Sequence, residues 1–67
     1  MRYFNCEKVA KDARIPGDKL VRLRRLARDE FPGDEMMADL HLLRTCMAIR
    51  DGQLTIEEAL ASETAAA

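Results

Sequence analysis

Three breaks constrain this chain more than any other feature. Arg14-Ile15-Pro16-Gly17, Pro32-Gly33 and Asp51-Gly52 interrupt stretches in which apolar residues recur at helical spacing, three and four positions apart. No run alternates apolar and polar residues as a half-buried strand would. The sequence therefore predicts an all-α fold, a small domain of three main helices and a short fourth. At 67 residues the chain makes one domain, and a domain of this size buries only about 60% of the surface its unfolded form exposes. Good helix packing or association must supply the remaining margin. Residues 1–62 are expected to form the helical domain, and 63–67, ending in Ala65-Ala66-Ala67, a frayed tail.

Each expected helix carries a start or stop signal. Asn5 caps a first helix running to about Ala13, with Cys6, Val9, Ala10 and Ala13 on one face and Tyr3 and Phe4 placed to fold back onto it. Pro16 pushes Ile15 out of helical geometry and suits the first turn of a second helix that ends near Phe31. On that helix Leu20, Leu23, Leu26, Ala27 and Phe31 share a sector of about 140° at 100° per residue. Arginines and Val21 fill the rest. Asp34 caps a third helix reaching about Arg50. Thr55-Ile56-Glu57-Glu58 is a capping box that opens a fourth helix ending near Ser62, with Leu54 and Ala59 at the staple positions.

Net charge is −1, but it is unevenly spread. Residues 1–30 hold nine Lys and Arg against five acids, and residues 31–67 hold two against seven. A basic half can face a polyanion, or the unlike halves of neighbouring chains can attract one another. Cys6 and Cys46 lie far apart without a C-x-x-C pattern and with a single histidine, so they read as small buried apolar residues rather than zinc ligands. No secretory leader or membrane-spanning run is visible, and a reduced, cytoplasmic protein is expected.

Around the first break the apolar residues fall where a helix-turn-helix buries them. Ala10 suits the crossing point, Val9 and Ala13 complete the inner face, Ile15 plugs the turn, and Leu20 and Leu23 clamp the second helix. This opening, about residues 1–25, resembles the LacI-type and MerR/excisionase-type helix-turn-helix families, whose motifs read much like V-A-x-x-A-G-V-S-x-x-T-V-x-R-V. The resemblance implies double-stranded DNA as partner and the second helix as the groove-facing element. By it, Gly17, Asp18, Val21, Arg22 and Arg25 would meet base edges, with Arg22 or Arg25 reading guanine, while Lys19, Arg24 and Arg28 would take phosphates. Two positions depart from the pattern. Arg14 stands where these families have glycine, so it must accept a left-handed backbone at a cost of about 1 kcal/mol or open the turn differently. Asp18 places a negative charge near the DNA, within a segment where Arg14, Lys19, Arg22, Arg24, Arg25 and Arg28 leave residues 14–28 at +5.

The third helix is apolar nearly all round. Met36, Leu40, Leu43 and Met47 form one stripe, and Ala38, Leu42 and Ile49 another on almost the opposite side, with Cys46 between. Partners are needed on two sides, and the first stripe is the expected homodimer interface. The acids Glu30, Asp34, Glu35 and Asp39 near the second break complement a helix N-terminus rather than forming a metal site, and His41 is expected half-exposed. No nucleophile, base and orienting group can be assembled, so no enzymatic activity and no cofactor are expected. The competing expectation to DNA binding is a helical protein-interaction module or dimeric adaptor that uses the arginine face or the methionine-bearing helix.

Overall fold

The computed structural model describes residues 4–65, without the side chains of 62–65. Four helices follow one another: α1 (Cys6–Asp12), α2 (Gly17–Glu30), α3 (Glu35–Arg50) and α4 (Ile56–Ala65). The fold is all-α, as the apolar spacing predicts. Helix α3 is the spine, with α1 and α2 both packed on it, and α4 is held chiefly by α2.

The boundaries follow from local chemistry. The Asn5 side chain accepts the Lys8 N–H at 3.3 Å and that of Asp34 accepts the Met37 N–H at 3.1 Å, satisfying amides that have no intrahelical acceptor. The Thr55 hydroxyl accepts the Glu58 N–H, and the Glu58 carboxylate accepts the Thr55 N–H in return, both at 3.0 Å. That is the expected capping box. Between α2 and α3, Pro32 and Gly33 occupy the centre of a tight turn in which Asp34 N–H donates to the Phe31 carbonyl at 3.1 Å. Gly33 has φ +80°, the value that a type II turn asks of its third residue. Helix α4 continues to Ala65, past the expected end near Ser62. Alanine has the highest helix propensity, and no breaker stands at that point. Tyr3 and residues 66–67 of the expected tail lie outside the described residues.

The core is built along one side of α3. Ala38, Leu42 and Cys46, four residues apart, are buried between Cys6 and Ala10 of α1, Ile15 of the corner, and Leu23 and Ala27 of α2, with Leu60 closing the set from α4. Val9, Ala13, Leu20, Leu26 and Phe31 pack against this cluster half-buried, on the faces expected of them. Leu42 is fully enclosed, and burying a side chain of its size stabilises the fold by about 1.5–3 kcal/mol. Both thiols are buried and unpaired. Burial, then the nearby Asp39 carboxylate, pushes the Cys6 thiol up from 9.0 to about 11. Burial also raises Cys46, against a smaller opposing influence from Arg24.

Candidate nucleic-acid interface

The corner between α1 and α2 sets the direction in which α2 and its basic side chains leave α1. After Asp12 the chain closes α1 with Arg14 N–H donating to the Lys11 carbonyl at 3.0 Å and Ile15 N–H donating to the Ala10 carbonyl at 2.9 Å. These are the two bonds of a Schellman ending, and it needs a left-handed residue between Ala13 and Ile15. Arg14 supplies it at φ +60°, the only described non-glycine residue with positive φ. Of the two routes open to Arg14, the structure takes the strained one. Ile15 and Ala10 are both buried, giving the apolar contact that accompanies such an ending. Gly52 closes α3 in the same manner, with φ +78° and a 2.9 Å bond from Gln53 N–H to the Ala48 carbonyl.

Pro16 is the cap of α2 rather than its first residue, with extended backbone and no side-chain bond to offer. Its carbonyl accepts the Leu20 N–H at 2.9 Å, and α2 runs on from Gly17. With Leu23 and Ala27 turned inward, the opposite side of α2 presents Asp18, Val21, Arg25 and Arg28 to solvent, and Arg14 stands exposed at the corner beside them. Val21 is 59% exposed. Lys19 and Arg22 lie at the flanks, half-buried.

Arg24 differs from the rest. Expected among the phosphate contacts, it sits at the edge of the apolar sector and turns toward α3, where its guanidinium lies 3.8 Å from an Asp39 oxygen. Asp39 is a junction: its other oxygen accepts the Phe4 N–H at 3.0 Å, and the Cys6 thiol donates to its main-chain carbonyl at 3.4 Å. One carboxylate with 12% of its side chain exposed thus ties the start of α1 and the middle of α2 to α3. Sequence reasoning placed Asp39 with the acids of a helix N-terminus. Only Asp34 and Glu35 of that group stand at the start of α3. Glu30 instead meets His41 across the α2–α3 corner, carboxylate to Nε2 at 3.2 Å, with the Phe31 ring centred 5.6 Å from the imidazole. Among the described residues no three His, Cys, Asp or Glu side chains converge as a metal ion requires.

The second expected surface is the stripe on α3. Met36 and Met47 are 51% and 38% exposed, and Leu40 lies half-buried between them. Leu43 also packs against the core, so it serves both sides of the helix. No helix among the described residues is long and apolar enough to cross a membrane. Compared with known proteins, the chain matches no family model, no curated protein and no solved structure.

Proposed function

We infer that this chain is a small DNA-binding protein that lays the outer face of α2 into the major groove of duplex DNA. The observation that carries it is the Arg14 corner: a non-glycine residue held left-handed at φ +60°, beside a buried Ile15, at the junction that leads into the helix with the exposed basic face. Strain of this kind is retained where the surrounding structure demands it, and it clusters at functional sites. Arg25 and Arg28 supply outward guanidinium groups, with Arg14 at the corner and Lys19 and Arg22 at the flanks. Val21 offers an apolar contact of the kind that thymine methyl groups accept. Asp18 narrows the choice of bases, since a carboxylate accepts from cytosine and repels phosphate. Arg24 is assigned to the fold and not to the DNA.

A two-fold dimer completes the proposal. The stripe Met36, Leu40, Leu43, Met47 has the same spacing read in either direction, so two α3 helices laid antiparallel would place Met36 against Met47 and Leu40 against Leu43. Such a pair would present two α2 faces to two half-sites. On this reading the protein is a cytoplasmic regulator.

Fluorescence anisotropy with a labelled duplex tests the first part. Affinity should fall steeply with salt, by a slope near −0.9 per neutralised phosphate. Arg25→Ala with Arg28→Ala should weaken binding while leaving the helical circular dichroism unchanged. No binding at micromolar protein and low salt would end the proposal. Sedimentation at tens of micromolar should report twice the chain mass, and Met36→Lys with Met47→Lys should return a monomer.

The exposed Val21, Met36 and Met47 favour one second reading, a protein-interaction module. A protein partner bound through these residues, with no DNA affinity, would support it.

A further inference from the structure

On the opposite flank of α2 from its basic face, the C-terminal half of that helix, α3, the loop before α4 and the first turn of α4 enclose an open groove of about 480 Å³. Its floor is hydrocarbon: Leu23 and Leu26 from α2, Leu54 from the loop and Ala59 from α4. Its rim carries Asp29, Glu30 and Glu58, and no lysine or arginine among the described residues lines it. We propose that this groove is a binding site for a small organic cation, an ammonium or amidinium group on an apolar body.

The volume lies in the range of small-molecule sites, which are apolar clefts with a few convergent polar groups. The rim sets the sign of the ligand. The Asp29 carboxylate makes no hydrogen bond or ion pair among the described residues, and only one oxygen of each glutamate is engaged in a described bond, Glu30 toward His41 and Glu58 toward the Thr55 N–H. Among the described lining residues, three exposed carboxylates face a single imidazole around an apolar floor, a setting that attracts a cation and repels a carboxylate ligand of the same size. Thr45 adds a hydroxyl oxygen at the wall, its proton already donated to the His41 carbonyl at 3.0 Å, so that it too can only accept. Acceptors on the rim and hydrocarbon below match an alkylammonium end to end. The site stands whether or not the basic face meets DNA.

Titration of the isotopically labelled protein with hexylammonium chloride, sodium hexanoate and 1-hexanol, followed by amide chemical shifts, tests the proposal. Hexylammonium should give saturable shifts at Leu26, Leu54 and Ala59. Hexanoate should give none in the same range, and hexanol should bind more weakly. Asp29→Asn with Glu30→Gln, both exposed and at a helix C-terminus, and costing only the largely solvated Glu30–His41 pair, should leave the helical circular dichroism unchanged and weaken hexylammonium about fivefold or more. Equal binding of hexanoate overturns the proposal, as do shifts scattered over Asp51 and Glu57 outside the groove. Groove shifts that follow protein concentration alone would identify a second copy of the chain as occupant and overturn it equally.

Discussion

Replacing Arg14 with glycine should make the protein more stable. A left-handed backbone costs an L side chain about 1–2 kcal/mol, and Arg14 adopts it at φ +60°. Glycine removes that cost but adds about 0.5–1 kcal/mol of unfolded-chain entropy. The corner bonds from Arg14 and Ile15 to the Lys11 and Ala10 carbonyls are main-chain bonds and survive the change. The net gain is about 0.5–1 kcal/mol, which for a domain of this length raises Tm by about 2–8 °C. Thermal and urea melts followed by circular dichroism measure it. Arg14→Ala is the control, since it removes the same charge but keeps the left-handed cost. If alanine stabilises as much as glycine, the gain comes from relieved repulsion within the basic segment and the strain assignment is wrong. A loss of stability for Arg14→Gly would refute it outright. On the DNA proposal, both variants should also reduce the salt slope of duplex binding by about one phosphate's worth.

Asp39→Ala should cost about 1–3 kcal/mol, because the partly buried Phe4 N–H loses its acceptor and Arg24 its counter-ion, and hydrogen exchange in α1 should accelerate more than in α3. Thr55→Ala should cost about 1 kcal/mol and release the amides at the start of α4 first, since the Glu58 N–H loses its capping oxygen. The Cys6 thiol, raised from 9.0 to about 11, binds its proton more tightly in the folded state than in the unfolded one. Its contribution is therefore whole below pH 9 and is lost as pH rises through 11, by about 2–3 kcal/mol, so urea stability should fall over that window more steeply in the native protein than in Cys6→Ala. Equal slopes in the two proteins would show that Cys6 is not the titrating group.

Features fixed by neighbouring residues could be read from the sequence, and features fixed by distant ones could not. Asn5, Asp34 and the Thr55-to-Glu58 box act within one turn, and they cap as their spacing implies. The corner at Arg14 depends on a few adjacent amides and on Ile15, and its two possible outcomes were both visible in advance. Arg24 and Asp39 are different. Each stands at the margin between an apolar and a polar sector, and its direction depends on where α1 and α2 settle on α3. Glu30 and His41 belong to separate helices brought together by the Pro32-Gly33 turn, so their pairing needs the turn's geometry and not merely its presence. The groove beside Leu54 arises the same way, from three helices and a loop that share no sequence signal.

Five of the nine apolar residues buried among those described, Cys6, Ala10, Ala27, Ala38 and Cys46, carry at most one heavy atom beyond Cβ. Short side chains bring helix backbones together, so the middle of this molecule works as a keyed joint and not as a cushion of interlocking bulk. Such a joint fixes orientation while contributing modest transfer free energy. The larger half-buried side chains packed around it, Leu20, Leu26, Phe31, Leu43 and Ile49 among them, then carry much of the resistance to unfolding, and a variant that slackens a bend should change the molecule's shape before it empties its centre.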